Sequence, residues 1–190
     1  MVTTTNSFEN NYGLILDEIQ HAMELIDPAQ VEDLVKMLLA ADKVFVIGVG
    51  RVMLSLKAFA KRLNHIGIRT FCVGDINEPA ITERDILLVG SGSGESVVPL
   101  SIARIARRHN ATIAHIGSNP NSSLAPLTDV FVRIPVKTKL DLTDEIQSQQ
   151  IMSSLFEQCL YILGDTAALM IVRLQELDVA SLWQYHANLE

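Results

Sequence analysis

The stretch Asp85-Ile-Leu-Leu-Val-Gly-Ser-Gly-Ser-Gly-Glu-Ser96 decides how this chain is read. Ile86 to Val89 is a short, continuous apolar run, the pattern of a strand buried on both faces of a parallel sheet. Gly90 to Gly94 alternates glycine with serine. After Ser96 a helical pattern begins, with Val97, Leu100, Ile102, Ala103 and Ile105 available for an apolar face. Pro99 fits the first helical turn, where its missing N–H costs little. Strand, small-residue loop and helix, in that order, present backbone N–H groups and the positive end of a helix to an anion. Glycine lets the backbone approach a ligand, and serine adds hydroxyl donors without bulk. Ser91, Gly92, Ser93, Gly94 and Ser96 therefore read as a phosphate cradle.

Strands and helices alternate on either side of that stretch. Phe8 to Ile26 has helical spacing, with Tyr12, Ile15, Leu16, Ile19, Ala22, Met23 and Ile26 on one face. Asp27-Pro28 reads as a cap and a first helical position, opening a second helix to about Ala41. Lys43 to Ile47 is the first strand, and the turn from Gly48 to Val52 leads into a helix ending near Asn64. Arg69 to Val73, Ala111 to Ile116 and Asp129 to Ile134 complete the strands. A long helix over Ser148 to Gln175 follows, and a shorter one near Trp183. The expected fold is α/β: one domain built on a five-stranded parallel sheet in the flavodoxin-like order 2-1-3-4-5, with helices on both faces. Its N-terminal helices occupy 8–41, the sheet core 43–134 and the C-terminal helices 148–188. In this topology ligands bind where the strand order reverses, at the carboxyl ends of strands one and three, which is where the Gly48 and Gly90 turns fall.

Composition narrows the function. The 190 residues are 48% hydrophobic with a net charge of -7, so the chain folds around a sizeable core and offers no broadly basic nucleic-acid surface. Cys72 and Cys159 sit in separate apolar runs, which suits buried, reduced thiols in a cytoplasmic protein, and no metal-ligand spacing is present. Met1 to Ser7 lacks the basic start and apolar centre of a signal peptide. Cys159 to Val172 is very apolar but short and carries Asp165, so it reads as a core helix rather than a membrane span.

Each further candidate has a plain reading beside the functional one. Gly48-Val-Gly50 could open a dinucleotide fingerprint, with Asp75 after the second strand as its acidic partner, but Met53 stands where the third glycine belongs. Arg51 follows that turn, either as a surface arginine or as a ligand for an anion. His65 could simply stabilise a helix end as a cation. Glu157 shares a helical face with Ser154 and Tyr161, away from Ile151, Leu155 and Ile162, as a solvated glutamate would. His21, His109, His115 and His186 form no constellation and read as structural.

Taken together, Val44-Phe-Val-Ile-Gly-Val-Gly-Arg51, Ala58-Phe-Ala-Lys-Arg-Leu-Asn-His-Ile-Gly67, Ser91-Gly-Ser-Gly-Glu-Ser96 and Ser154-Leu-Phe-Glu-Gln158 resemble the sugar-isomerase (SIS) domain. The resemblance is to its 6-phospho-3-hexuloisomerase branch and spans roughly Val44 to Arg173. It implies a metal-free, cofactor-free isomerase that converts a 3-keto hexose 6-phosphate to fructose 6-phosphate through an enediol, as a homodimer or homotetramer. It implies that the serine loop, with Gly50 and Arg51 nearby, binds the phosphate. Glu157 would then be the proton-transferring base, and His65 would assist ring opening or proton relay, in its own or a neighbouring subunit's site. The partner is a small sugar phosphate, with no nucleic acid or membrane. Two alternatives stay open: an arabinose-5-phosphate-type aldose–ketose isomerase, and a non-catalytic sugar-phosphate-binding regulatory module. The chain departs from the family at Val52, where a serine is usual, at the bulky Met53, and in the loop Asp75 to Glu78. These departures bear on the sugar more than on the phosphate.

Overall fold

The computed structural model describes residues 7–189; the N-terminal stretch read as lacking a signal peptide lies mostly outside them. Among these residues the order is α1 (Phe8–Glu24), α2 (Pro28–Ala40), β1 (Val44–Ile47), α3 (Gly50–His65), β2 (Thr70–Cys72), β3 (Ile86–Gly90), α4 (Val97–Arg108), β4 (Thr112–Gly117), β5 (Val130–Arg133) and α5 (Ser154–Leu174). A 3-10 turn at Ser181–Tyr185 follows. The sheet is parallel throughout, in the order β2-β1-β3-β4-β5, as the alternating pattern predicts.

Strand residues alternate between two apolar layers, because successive side chains of a strand point to opposite faces. Val44, Val46, Ile86, Leu88 and Ile116 belong to one layer, packed with side chains of α1, α2, α3 and α5. Phe45, Ile47, Leu87, Val89 and Ile113 belong to the other, covered by α4 through Ala103 and Ala106. The cover is thus unequal, four helices against one. The single covering helix keeps Val97 and Ile105 largely exposed, contrary to the sequence pattern. The α1 stripe is likewise only half used: Ala22 and Ile26 are buried, while Tyr12 and Leu16 stand in solvent.

α5 is long and apolar enough by composition to cross a membrane, yet Leu155, Phe156, Leu160, Leu163 and Ile171 are buried within this chain, as a core helix requires. Each such leucine is worth roughly 2–5 kcal/mol against truncation to alanine. The helix starts six residues later than its periodicity suggests. Glu18 of α1 explains the delay, because its carboxylate accepts from the Ser148 hydroxyl (2.6 Å), the Gln149 amide (2.7 Å) and the Gln150 side chain (3.0 Å). The Gln150 amide donates to the Ser148 hydroxyl (3.0 Å), and Met152 turns with φ 53° before Ser153 opens the helix.

Candidate functional site

The carboxyl ends of β1 and β3 open into a cleft of about 280 Å³. The starts of three helices line it: Gly50 and Arg51 of α3, Ser96 before α4, and Ser153, Phe156 and Glu157 at the head of α5. No side chain among the described residues caps these three starts, so their amides and dipoles remain available to a ligand. Each helix terminus carries roughly half a positive charge. Three on one hollow make a strong anion site, well beyond what one glycine loop provides.

The serine loop is braced by hydrogen bonds of its own. The Ser91 hydroxyl accepts from the Gly94 amide (3.1 Å) and donates to the Ser96 hydroxyl (3.4 Å), while the Ser93 hydroxyl accepts from the Glu95 amide (3.2 Å). The serines are therefore not equivalent. Ser91 uses its proton internally, whereas Ser93 and Ser96 keep theirs for a ligand. Gly94 lies behind the loop with φ 68° and its α-carbon against Ser122, so a side chain there is excluded by conformation and by space. At Gly92 a β-carbon would come within 2.8 Å of the Thr138 methyl group.

Below the loop lies His115, the residue the sequence reading left as merely structural. It is buried, its Nε2 is 2.9 Å from the Ser91 carbonyl oxygen, and burial pulls its pKa down to about 4. A neutral imidazole donating Nε2–H to that carbonyl holds the loop from underneath.

Glu157 is not solvated. It is 9% exposed, and its carboxylate accepts from Arg51 Nε and from the Ser153 hydroxyl (3.1 Å). The Ser55 hydroxyl of α3 donates to the Glu157 carbonyl at 2.9 Å, pinning α3 to α5 at this level. Arg51 itself is two-thirds exposed, so its guanidinium can move while the carboxylate stays. A second hollow continues past this pair between Ile15, Ile19, Leu54, Tyr161 and Ile162.

Of the residues expected from sequence, Gly50, Arg51, Ser91, Gly92, Ser93, Ser96 and Glu157 line the cleft, Gly94 supports it from behind, and His65 is elsewhere. His65 ends α3, the helix that Arg51 begins, which separates them by about 20 Å at 1.5 Å per residue. It lies instead in a corner with His186 and Trp183, its ring stacked on His186 at 5.3 Å. Asp75 and Glu78, the carboxylates of the loop after β2, do not line the cleft; Glu78 accepts from the Gly74 amide at 2.7 Å. Val52 does line it, with its methyl group 2.9 Å from where a β-carbon on Gly90 would be. Thr138, Lys139 and Ser153 were missed. The first two sit in a polar connection with no periodicity, and the only hint of Ser153 was its place just before Ser154-Leu-Phe-Glu-Gln158.

Known proteins resemble this chain in sequence and in fold. The SIS domain profile matches residues 37–162. The 3-hexulose-6-phosphate isomerase of Mycobacterium gastri is 39% identical over 181 residues, 95% of this chain and 90% of that protein. The Bacillus subtilis protein of the same name is 33% identical over 176 residues, 93% of this chain and 95% of its own length. A solved Methanococcus jannaschii structure, from which the same isomerase function was inferred, has a TM-score of 0.82 at 24% identity. It covers 95% of this chain and 99% of that one, and at that identity it speaks for the fold.

Proposed function

The chain belongs to the SIS-domain family and is a sugar-phosphate isomerase, and from that premise we propose that it interconverts a 3-keto hexose 6-phosphate and fructose 6-phosphate through an enediol. The observation that carries the proposal is Glu157: a nearly buried carboxylate, held by Arg51, facing the cleft that the serine loop closes. The phosphate takes the Ser93 and Ser96 hydroxyls and the amides around Gly92, with Ser91 and Gly94 bracing them. Its binding is remote from the reacting carbons and fixes their register.

Moving the carbonyl from C3 to C2 requires removal of the C2 proton and delivery of a proton to C3. Glu157 accepts the first and, now a carboxylic acid whose proton exchanges with water, delivers a proton to the neighbouring carbon, while the O2 proton passes to O3. The enediolate between these steps carries its charge on oxygen, within reach of the mobile Arg51 guanidinium. His65 assists ring opening in a neighbouring chain's cleft, within a homodimer or homotetramer. Two observations support that arrangement: the intrachain span of about 20 Å along α3, and the exposed Tyr12, Leu16, Leu54 and Tyr161 on the helices flanking the cleft.

The test is a panel of keto- and aldo-sugar phosphates, arabinose 5-phosphate among them, incubated with the protein in deuterated water. Deuterium should enter C2 or C3 of the hexulose phosphate pair at the fastest rate. No exchange into any member would end the enediol reading, and faster exchange into arabinose 5-phosphate would move the substrate to the aldose class.

A further inference from the structure

We propose that Lys139 is the cation that completes the phosphate site, carried there by a stapled arm, residues 136–146, that lies over the serine loop. This rests on the sugar-phosphate reading of the cleft.

Charge sets the need. The ionisable side chains lining the cleft are Arg51, Lys139 and Glu157. Arg51 donates to Glu157, so that pair adds no net charge. A phosphate monoester near neutral pH carries about -1.5 to -2. Helix starts offset part of this with partial charges. The full positive charge left in the lining is Lys139.

Position meets the need. Thr138, the residue before it, packs its methyl group so closely on Gly92 that no β-carbon fits between them. The arm therefore rests on the centre of the cradle. Its backbone is held at both ends: the Lys137 amide donates to the Ile146 carbonyl (2.9 Å), and the Ile146 amide to that of Pro135 (2.8 Å). Inside it, the buried Glu145 carboxylate accepts from the Thr138 amide and hydroxyl, each at 3.3 Å, and from the Leu142 amide at 2.9 Å. Lys137 pairs with Asp141 at 3.3 Å and with Gln147 at 3.1 Å, and Arg133 pairs with Asp144 at 2.6 Å. Lys139 enters none of these pairs and its side chain is exposed. Glu95, within the serine loop, has its carboxyl held below its usual range mainly by bonds from Ser123, with a smaller pull from Lys139. A fixed backbone with a mobile, exposed ammonium group can turn from Glu95 to a dianion on the serine loop. The phosphate thus recruits a cation that an unphosphorylated sugar would leave outside.

The experiment measures KM and kcat on the hexulose phosphate pair, and inhibition by inorganic phosphate, for the wild type, Lys139→Met, Lys139→Arg, Glu145→Gln and Ser93→Ala. Lys139→Met should raise both KM and the phosphate inhibition constant about 10–100-fold, the scale of a lost charge-assisted contact, with the loss on KM rather than kcat. Lys139→Arg should restore most of it. Glu145→Gln should move both constants the same way by a smaller factor, and unchanged constants there would overturn the stapled arm. If Lys139→Met stays within twofold of the wild type while Ser93→Ala weakens both constants, the cleft binds phosphate without Lys139 and the inference fails alone. If the wild type is neither inhibited by phosphate nor active on any sugar phosphate, the reading of the cleft fails with it.

Discussion

Two hollows lie at opposite ends of α3, and the smaller one is the candidate site. The corner near the end of the helix encloses about 360 Å³ among Arg62, His65, Asp165, Leu169, Trp183 and His186. The cleft at its start encloses about 280 Å³. The corner is walled by apolar side chains of α3, α5 and the C-terminal turn, and its Arg62–Asp165 pair, 3.4 Å apart and half exposed, adds little stability. The cleft collects three helix starts, a glycine-rich loop and a nearly buried carboxylate. Volume follows from how loosely elements meet, whereas reactivity follows from how many donors converge. One helix serves both hollows, with Arg51 in its first turn and His65 in its last, so a rigid rod holds two functional candidates out of each other's reach.

The sharpest way to break this contrast is to remove the carboxylate. Glu157→Gln keeps shape and hydrogen bonding but cannot accept a proton. We expect kcat to fall by about two to four orders of magnitude with sugar-phosphate binding nearly unchanged. A variant with ordinary deuterium exchange would strip the cleft of its base.

His65→Gln tests whether the corner belongs to a neighbour's cleft. Alone it should lose about 100-fold in rate. Mixed with Glu157→Gln and allowed to exchange subunits, it should regain activity, because some hybrid sites then hold both native residues. Activity no higher than the sum of the two parents would confine each residue to its own chain.

His115 sharpens the contrast from below the loop. Its pKa is lowered by burial, so the native state resists protonation that the unfolded chain accepts near 6.5. The contribution to stability is full above pH 6.5, declines as pH falls toward about 4, and is constant below that. The total change amounts to about 3 kcal/mol. Urea unfolding of wild type and His115→Gln across that range should show the acid-side loss shrinking in the variant, and parallel curves would contradict the buried neutral imidazole.

Ser93→Ala should cost about 1–3 kcal/mol in sugar-phosphate affinity, read by calorimetry, while the same change at Ser91 acts mostly through loop stability. The smallest effect is expected at Val52, whose Cγ1 methyl group packs over both Gly48 and Gly90 while the residue lines the cleft. Val52→Ser should shift preference within the sugar panel by about tenfold or less, the scale of one neutral hydrogen bond, without abolishing phosphate binding. An unchanged preference would show that the substrate does not reach that wall.

What the sequence determined by itself was whatever depends on neighbours along the chain. The apolar runs at Val44–Ile47 and Ile86–Val89 needed no partner to be recognised as buried strands, and the alternation with helices dictated a parallel sheet. The Gly90–Gly94 loop between strand and helix marked the candidate anion site, because backbone amides and helix dipoles are local properties. Tertiary structure alone decided the rest, because it sets contacts between distant residues. Glu157 is nearly buried and bonded to Arg51, 106 positions away, although its helical face looked solvated. α5 begins at Ser154 because Glu18, on another helix, takes one donor from each of residues 148–150. Thr138 and Lys139 reach the cleft through an aperiodic connection held by Glu145. His115 became a support because β4 lies beside β3, which places its ring under Ser91. Burial and ion pairing follow from distance in space, and periodicity reports only distance along the chain.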